Sequence, residues 1–282
     1  MRLPGPDYPA PAKLNLFLHV VGRRADGYHL LQSAFALIDA ADRLRFAVRE
    51  DGAIRRASEL AGVPAESDLV VRAARLLQAE AGTRLGADIE VEKNLPLGGG
   101  VGGGSSDAAT TLLVLNRLWA TGLDRDALRA LGARLGADVP FFVFGRNAWV
   151  EGVGDRLTAL DLPPAWYLVL VPPVAVPTGE IFAAPKLTRD TEPLKIEDFS
   201  AHLAPGRFRN DLEAVVAAKY PVVREHLEWL AGQGGGRLTG SGACVFARFG
   251  DRASAEGVLA RAPGGMKGFV ARGLEHHPLR DL

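Results

Sequence analysis

The chain has 282 residues, of which 48% are hydrophobic and 23% are charged, a composition typical of a folded protein with one large domain or two ordinary ones. Its 33 basic and 33 acidic residues leave no formal net charge at pH 7. This balance argues against a general electrostatic footprint for nucleic acid or for a membrane surface, so we expect neither as a partner.

Three further features of the sequence favour a cytoplasmic protein. The single cysteine, Cys244, excludes an intramolecular disulfide bond, and its apolar neighbours predict that it packs as a small hydrophobic residue. Residues 1–11 are rich in proline and lack the apolar core of a signal peptide. The longest apolar stretch, residues 166–177, is interrupted by three prolines and is too short to span a bilayer. Nothing in the sequence indicates the oligomeric state.

The first half of the chain predicts strands followed by clustered helices, which is typical of an α+β domain. Ser67 is the expected N-cap of a helix that continues through Ala81, and Gly82 is its expected end. Asp124 is the expected N-cap of a later helix that ends near residue 135. The other predicted elements are strands at 14–21, 28–38, 43–48 and 87–95, a helix at 108–119, a turn at 136–140 leading into the apolar residues 141–144, and a hairpin at 147–160.

The second half has a different order of elements: strand, helix, strand, strand, helix, strand. This is the split arrangement of a ferredoxin-like domain. We therefore predict two domains, residues 1–158 and residues 159–282, with the boundary near residues 155–164. The predicted elements of the second domain are strands at 166–171, 237–239, 244–249 and 267–273 and helices at 211–219, 221–231 and 252–261.

The stretch from Asn94 to Ala109 contains six glycines around one valine. Such a backbone reaches conformations that a Cβ atom forbids, and it can aim successive N–H groups at an anion. Ser105, Ser106 and Asp107 favour a helix start, and the helix that follows would point its positive dipole end into the same loop. The expected ligand of this loop is a chain of phosphates.

Other interpretations of the glycine-rich stretch fit less well. Gly98, Gly100 and Gly103 have the spacing of the dinucleotide-binding fingerprint, but the preceding strand alternates in polarity, whereas a central parallel strand would be continuously apolar. Pro96 also separates that strand from the glycines. The Walker pattern is absent because no lysine precedes Ser105. A flexible linker would not lie between a well-patterned strand and helix.

Several stretches taken together resemble the GHMP kinases, named after galacto-, homoserine, mevalonate and phosphomevalonate kinases. The stretches are Pro-Ala-Lys-Leu-Asn-Leu at 11–16, the glycine-rich segment at 96–109 and Leu-Thr-Gly-Ser-Gly-Ala at 238–243. Arg-Ala-Asp-Gly-Tyr-His at 24–29 and Gly-Ala-Asp-Val-Pro at 136–140 extend the resemblance over nearly the whole chain. It implies an N-terminal domain like ribosomal protein S5 domain 2 and a ferredoxin-like C-terminal domain, in agreement with the order of elements above.

The resemblance implies transfer of the γ-phosphoryl group of ATP to the 2-hydroxyl of a cytidine-diphospho-methylerythritol acceptor, a step of non-mevalonate isoprenoid synthesis. Such transfer depends mainly on alignment and charge neutralisation. Asp138 matches the general base that accepts the hydroxyl proton. Lys13 matches its companion, whose ammonium would stabilise the carboxylate and offset charge on the transferred group. Considered singly, Asp138 could be a turn carboxylate and Lys13 a rim lysine, but their shared motif context favours catalysis.

The resemblance also implies the residues that bind ATP. Gly240 to Gly242 resemble a second tight turn that closes on the site, although a plain hairpin turn would look the same. Asp68 stands where relatives often have asparagine near the adenosine, and a carboxylate there can only accept hydrogen bonds. Mg²⁺ is expected with ATP, but its ligands stay unassigned, with Ser106 as a candidate. The implied ATP-binding residues are Pro96, Gly98, Gly99, Gly100, Gly102, Gly103, Gly104, Ser105 and Ser106, of which Gly100 to Ser106 would cradle the β- and γ-phosphates.

The acceptor is expected to bind at a different set of side chains. Asn15 lies two positions after Lys13 on the same face of a strand and could orient the erythritol hydroxyls, or it could bond the backbone at a strand edge. Tyr28, His29 and Phe182 match the family positions for the cytidine, since aromatic faces stack a pyrimidine and an imidazole bonds its edge. The neighbouring histidines at 276 and 277 show no metal-ligand spacing, and we expect both to be solvated.

Two other functions remain open from the sequence. One is a GHMP kinase with homoserine or mevalonate as acceptor, although a small acceptor needs no aromatic residue such as Tyr28 or Phe182 to stack a base. The other is a nucleotide-binding module that has lost turnover, although the presence of both Lys13 and Asp138 argues against it.

Overall fold

The computed structural model describes residues 3–60, 62–201 and 208–282. Its longest feature is an antiparallel pair of strands, β1 (Tyr8–Arg23) and β2 (His29–Arg49). Most residues in the middle of both strands are buried on both faces, so this pair forms the centre of the core.

The strand β2 is continuous. The sequence predicted separate strands at 28–38 and 43–48, and that prediction is wrong because β2 runs through both. The intervening Asp42 is tolerated inside the strand since its buried carboxylate accepts hydrogen bonds from the backbone amides of Asn94 (2.6 Å) and Leu95 (2.8 Å).

The N-terminal sheet is completed by shorter strands around β2. They are β3 (Ile54–Arg56), β4 (Gly86–Glu92), β5 (Ala148–Glu151) and β6 (Arg156–Ala159). Both β4 and β5 pair antiparallel with β2, and β5 and β6 form the predicted hairpin. The strand β3 was not predicted from the sequence, and it pairs parallel with β4.

Helices pack their apolar faces against this sheet. Asp68, rather than the predicted Ser67, caps the first of them, because its carboxylate accepts a hydrogen bond from the Val70 amide at 3.0 Å. Gly82 ends that helix in the left-handed conformation, as predicted. The helices are α1 (Leu69–Ala81), α2 (Gly103–Leu118), α3 (Arg125–Ala133) and α4 (Val139–Phe144), of which α4 takes up residues predicted as the end of a turn and an apolar run.

The C-terminal part has the predicted order of a ferredoxin-like domain. Its elements are β7 (Trp166–Leu170), α5 (Thr178–Phe182), α6 (Ile196–Ala201), α7 (Glu213–Lys219), α8 (Pro221–Ala231), β8 (Arg237–Leu238), β9 (Val245–Phe249), α9 (Arg252–Leu259) and β10 (Gly268–Leu274). The strands lie side by side in the order β8, β9, β7, β10, and neighbouring strands are antiparallel. The two short helices α5 and α6 were not predicted.

The N- and C-terminal sheets are joined edge to edge. Residues Gly273 and Leu274 of β10 pair with Ile38 and Leu37 of β2. A hydrophobic cluster that includes side chains from both parts lies across this junction. The two halves of the chain are therefore held in a fixed relation, and the loops at the ends of their strands can share one cleft. Among the described residues, none of the helices has the length and apolar character needed to cross a membrane.

The histidine at position 277 is not solvated as the sequence predicted. His277 is 1% exposed, and its Nδ1 accepts a hydrogen bond from the Leu279 amide at 3.0 Å. Its Nε2 is buried and has no hydrogen-bond partner among the described residues. Burial, assisted by the positive charge of Arg125, lowers the pKa of His277 to about 3. The imidazole is therefore neutral in the folded protein at neutral pH.

This buried neutral imidazole predicts acid sensitivity. Because the pKa of His277 is lower in the folded chain than in the unfolded chain, the unfolded chain binds the additional proton between pH 6.5 and pH 3. Stability contributed by this group is present above pH 6.5 and is lost on acidification, by about 1.4 kcal/mol per pH unit once the pH is well below 6.5. Urea unfolding of the protein and of His277→Asn, which keeps an acceptor near the Nδ1 position, measures this slope.

The matched control is His276→Asn, because His276 is partly exposed. From pH 7 to pH 5, the free energy of unfolding should fall by the same amount in the His276 variant and in the original protein. In the His277 variant it should fall by less. Parallel curves for all three proteins would contradict the assignment.

Candidate active site

The glycine-rich loop leaves β4 and enters α2 with its backbone pressed against a second loop. Gly98, Gly100 and Gly102 have positive φ angles of 65°, 75° and 75°. A Cβ atom on Gly100 would lie 2.2 Å from the carbonyl oxygen of Thr239, so only glycine fits this approach. The Thr239 hydroxyl donates a hydrogen bond to the Gly100 carbonyl at 3.3 Å, which fixes the two loops together.

The helix α2 begins earlier than the sequence predicted. Its first residue is Gly103, and its N-cap is Gly102, which has no side chain to cap with. The predicted start at Ala108 is wrong, and Ser105 and Ser106 lie within the first turn of the helix. Since the first N–H groups of a helix have no carbonyl partner inside it, the glycine loop and this turn together present donors and a positive dipole end.

The side chains of Lys13 and Asp138 meet at the cleft. The Lys13 Nζ lies 3.4 Å from Asp138 Oδ2 and donates a hydrogen bond to Asn15 Oδ1 at 2.5 Å. Lys13 is almost completely buried, and its ammonium also lies 4.7 Å from the centre of the Phe35 ring. Asp138 is about one-third exposed, so its carboxylate can be reached from the cavity while it faces the ammonium.

Asn15 is held on every side by the protein. Its Nδ2 donates to Ser33 Oγ at 3.1 Å, and its backbone N–H donates to Thr239 Oγ1 at 3.0 Å. Together with the Lys13 contact, these bonds fix which end of the amide faces the ammonium. The visible role of Asn15 is therefore to hold Lys13, and the predicted contact with acceptor hydroxyls stays a prediction.

A single cavity of about 410 Å³ brings most of the predicted residues together. The Gly240–Ser241 turn closes one side, as the sequence predicted, and Thr178 from the start of α5 bonds Ser241 through the two hydroxyl oxygens at 2.7 Å. Ser106 lies below the surface and is fully buried. The predicted residues that line this cavity are Lys13, Asn15, Pro96, Gly98, Gly99, Gly100, Gly102, Gly103, Gly104, Ser105, Asp138 and Phe182.

A second cavity of about 980 Å³ adjoins the first and contains the residues predicted for cytidine. Phe182 and Thr178 line both cavities, so the two spaces are neighbours. The rings of His29 and Phe182 lie 5.0 Å apart at 33°, and Tyr28 is 66% exposed at the rim. The three predicted residues are thus together, with aromatic faces available to a planar base.

Sequence reasoning missed an ion network beneath the glycine loop. Lys93 lines the cavity, lies 2.7 Å from Asp107 Oδ2 and contacts Asp42. Burial raises the pKa of Asp107 to about 7; Lys93 opposes the rise, and the neighbouring Asp42 adds to it. The alternating polarity of β4 predicts that Lys93 lies exposed at the end of the strand. No local pattern indicates its contacts with Asp42 and Asp107.

Asp68 has a structural use that the sequence did not reveal. Besides capping α1, its Oδ2 lies 2.7 Å from an Arg56 nitrogen, and both side chains are largely buried. The carboxylate is thus occupied by an N-cap bond and an ion pair, which explains why aspartate is accommodated at this position.

Comparison with known proteins identifies the class. The GHMP kinases N-terminal domain matches residues 68–146, and the GHMP kinases C-terminal domain matches residues 188–267. This chain therefore belongs to the GHMP kinase family, whose members use ATP as phosphoryl donor. The predicted two-domain GHMP kinase fold is confirmed.

Individual relatives are similar over almost the full length. Proteins named 4-diphosphocytidyl-2-C-methyl-D-erythritol kinase from Aromatoleum aromaticum and Herminiimonas arsenicoxydans are 62% and 60% identical, over 97% of this chain and 95% and 96% of their own lengths. A crystal structure of 4-(cytidine 5'-diphospho)-2C-methyl-D-erythritol kinase matches with a TM-score of 0.83 and 35% identity, over 95% of this chain and 99% of that one. Homoserine kinase from Cytophaga hutchinsonii, at TM-score 0.71 and 15% identity over 98% of both chains, shares the fold.

The glycine loop gives a specific prediction at Gly104. This residue lies in the first turn of α2, is exposed to the cavity and has only Leu69 within ordinary contact of an added Cβ, at 3.6 Å. Gly104→Val should therefore fill the space above the helix N-terminus without straining the backbone. We expect ATP affinity to fall at least about tenfold, a loss of about 1.4 kcal/mol, with little change in Tm. A nucleotide titration and a thermal unfolding curve measure both quantities.

The matched control is Gly257→Val in α9, where an added Cβ meets only the end of the Arg261 side chain at 3.8 Å. That variant should bind ATP normally. Gly102→Val makes a poor probe, because a Cβ there would lie 2.9 Å from the Phe142 ring in a left-handed backbone. Unchanged ATP affinity of the Gly104 variant would place the phosphates elsewhere.

Proposed function

We propose that this chain transfers the γ-phosphoryl group of ATP to the 2-hydroxyl of 4-diphosphocytidyl-2-C-methyl-D-erythritol, in non-mevalonate isoprenoid synthesis. The observation that carries this proposal is the Lys13–Asp138 pair at 3.4 Å, in the same cavity as the glycine loop. Identity of 55–62% to proteins named for this activity supports the choice of acceptor.

Asp138 acts as the general base in this proposal. Its carboxylate accepts the proton of the acceptor hydroxyl as the oxygen bonds to the γ-phosphorus, while the bond from phosphorus to the β–γ bridging oxygen breaks and ADP leaves. The Lys13 ammonium, fixed by Asn15, stabilises negative charge on the carboxylate and on the transferred group. Because the ammonium is held before the substrates arrive, little reorganisation is needed during the transfer.

Mg²⁺ would accompany the nucleotide. Phosphate oxygens and water supply most of its ligands at such sites, so few protein oxygens are required. The buried Ser106 hydroxyl has no hydrogen-bond partner among the described residues and lies at the base of the loop, so we assign it as a candidate ligand. When bound, the ion neutralises charge on the phosphates. No group of three or more acidic, histidine or cysteine side chains suited to a metal exists within the described ranges.

The second cavity supports a nucleotide-linked acceptor over a small one. A base stacked near Phe182 and Tyr28 would leave the polyol end of the acceptor in the first cavity, beside Asp138. Mevalonate and homoserine carry no planar ring and would leave that aromatic space unused. We therefore expect the partners of this chain to be ATP and the cytidine-linked acceptor.

An acceptor panel tests the function. The purified protein is supplied with ATP, Mg²⁺ and either the cytidine-diphospho-methylerythritol, mevalonate or homoserine, and ADP release is followed with phosphorus NMR of the product. We expect turnover with the cytidine-linked acceptor and a kcat/KM at least about a hundredfold lower with the other two, since binding energy from the base is lost. If mevalonate or homoserine were turned over at a comparable rate, the proposed acceptor would be wrong.

Substitution of the base gives a sharper test of mechanism. Asp138→Asn keeps the shape of the side chain and removes the proton acceptor, so kcat should fall at least about a hundredfold. The Asp138 side chain makes no capping bond at α4, but the substitution removes the negative charge beside the buried Lys13 ammonium, so we expect a lower Tm with little change in ATP affinity. Asp161→Asn, at a highly exposed carboxylate, is the matched control and should keep its kcat. A near-normal kcat in the Asp138 variant would remove Asp138 from the proton transfer.

A further inference from the structure

The side chain of Arg189 binds a ring nitrogen of His29. Its Nε donates to His29 Nε2 at 3.0 Å. The remaining guanidinium nitrogens donate to the backbone carbonyls of Leu187 (3.0 Å), Phe182 (2.9 Å) and Ala184 (2.8 Å). Because each of these bonds goes to a different acceptor, the guanidinium has one orientation, and so does the imidazole that it contacts.

This contact determines where the proton of the imidazole lies. A guanidinium has donors only, so His29 Nε2 must offer a lone pair, and a neutral imidazole must then carry its proton on Nδ1. Burial, with the positive charges of Arg189 and Arg23, lowers the pKa of His29 below its usual range, which keeps the ring neutral at pH 7. The arrangement of charges therefore favours a single tautomer.

The other ring nitrogen is free to meet a ligand. Within residues 3–60, 62–201 and 208–282, no protein group forms a hydrogen bond with His29 Nδ1. His29 lines the second cavity beside Phe182, whose ring lies 5.0 Å away. A base stacked there would find an N–H donor of fixed direction at its edge.

We propose that Arg189 is a positioning residue that sets base specificity. It holds His29 as the Nδ1–H tautomer, which favours the binding of cytosine over uracil. This inference rests on the proposed function, because it takes the acceptor to be cytidine-linked. Cytosine offers a lone pair at N3, whereas uracil has a proton on N3, so a fixed donor at Nδ1 pairs with the first and opposes the second. The opposite tautomer would reverse that preference.

A purely structural role for Arg189 predicts a different result. Its bonds to the carbonyls of Phe182 and Ala184 also hold residues 182–187 in place. Loss of these bonds alone would weaken the binding of every pyrimidine nucleotide by the same factor. The ratio of the affinities for cytidine and uridine nucleotides therefore separates the two roles.

The test uses CDP and UDP as probes, titrated into the original protein and into Arg189→Met. The original protein should bind CDP about 5- to 150-fold more tightly than UDP, the range expected for one mispaired donor in a buried contact. In Arg189→Met the ratio should fall at least about fivefold, whatever happens to the absolute affinities. The matched control is Arg134→Met, since Arg134 lines the same cavity and contacts Glu80 instead of His29; its ratio should not change.

Two measurements keep the test specific to the tautomer. Nitrogen-15 NMR of the labelled ring should show His29 protonated on Nδ1 in the original protein and a mixture of forms in Arg189→Met. In His29→Asn, which has no ring tautomer, adding Arg189→Met should leave the CDP-to-UDP ratio unchanged. A ratio preserved in Arg189→Met, or a proton on Nε2 in the original protein, would overturn the inference alone. Equal affinity of the original protein for CDP and UDP would overturn the proposed acceptor and the inference together.

Discussion

The buried ammonium of Lys13 is the constraint on which the rest of the site depends. A charge with almost no access to water is stable only with well-placed polar partners, and here these are Asn15 and Asp138. Asn15 can accept the hydrogen bond of the ammonium because Ser33 and Thr239 fix the position of its side chain and backbone. Thr239 belongs to the C-terminal part and Lys13 to the first strand, so the environment of one charge requires both halves of the chain. The pairing of β10 with β2, which joins the two sheets edge to edge, keeps these residues together.

The same C-terminal loop also shapes the backbone of the glycine loop. Gly100 lies against Thr239, and Gly99 is so close to Cys244 that a Cβ would come within 2.7 Å of its sulfur. On the other side, Asp42 accepts hydrogen bonds from two amides that precede the loop. The loop is therefore held by backbone contacts and by one buried carboxylate, and close packing alone requires glycine at positions 99 and 100. This also gives the lone cysteine a reason to be small and apolar.

Features that depend on local pattern could be predicted from the sequence, and features that depend on distant partners could not. The glycine loop, the order of elements in the ferredoxin-like part and the pairing of Lys13 with Asp138 follow from short motifs and their resemblance to a family. The contacts of Lys93 with Asp42 and of Arg189 with His29 join residues 51 and 160 positions apart, and no periodicity reports them. The early start of α2 escaped prediction because a helix whose first residues are glycines has no side-chain cap to indicate it.

Aspartate at a helix start illustrates why geometry is needed to separate structure from chemistry. Asp68, Asp124 and Asp251 have extended backbones, with ψ of 131°, 172° and 162°, and each carboxylate bends back to accept an amide of its own helix. Asp138 occupies the equivalent position at α4 but has helical angles, φ −88° and ψ −14°, and makes no such bond. Its carboxylate is therefore directed away from the helix and meets the Lys13 ammonium instead. Of these four residues, Asp138 alone has a backbone that prevents capping, and its carboxylate is the one that faces the cavity and the Lys13 ammonium.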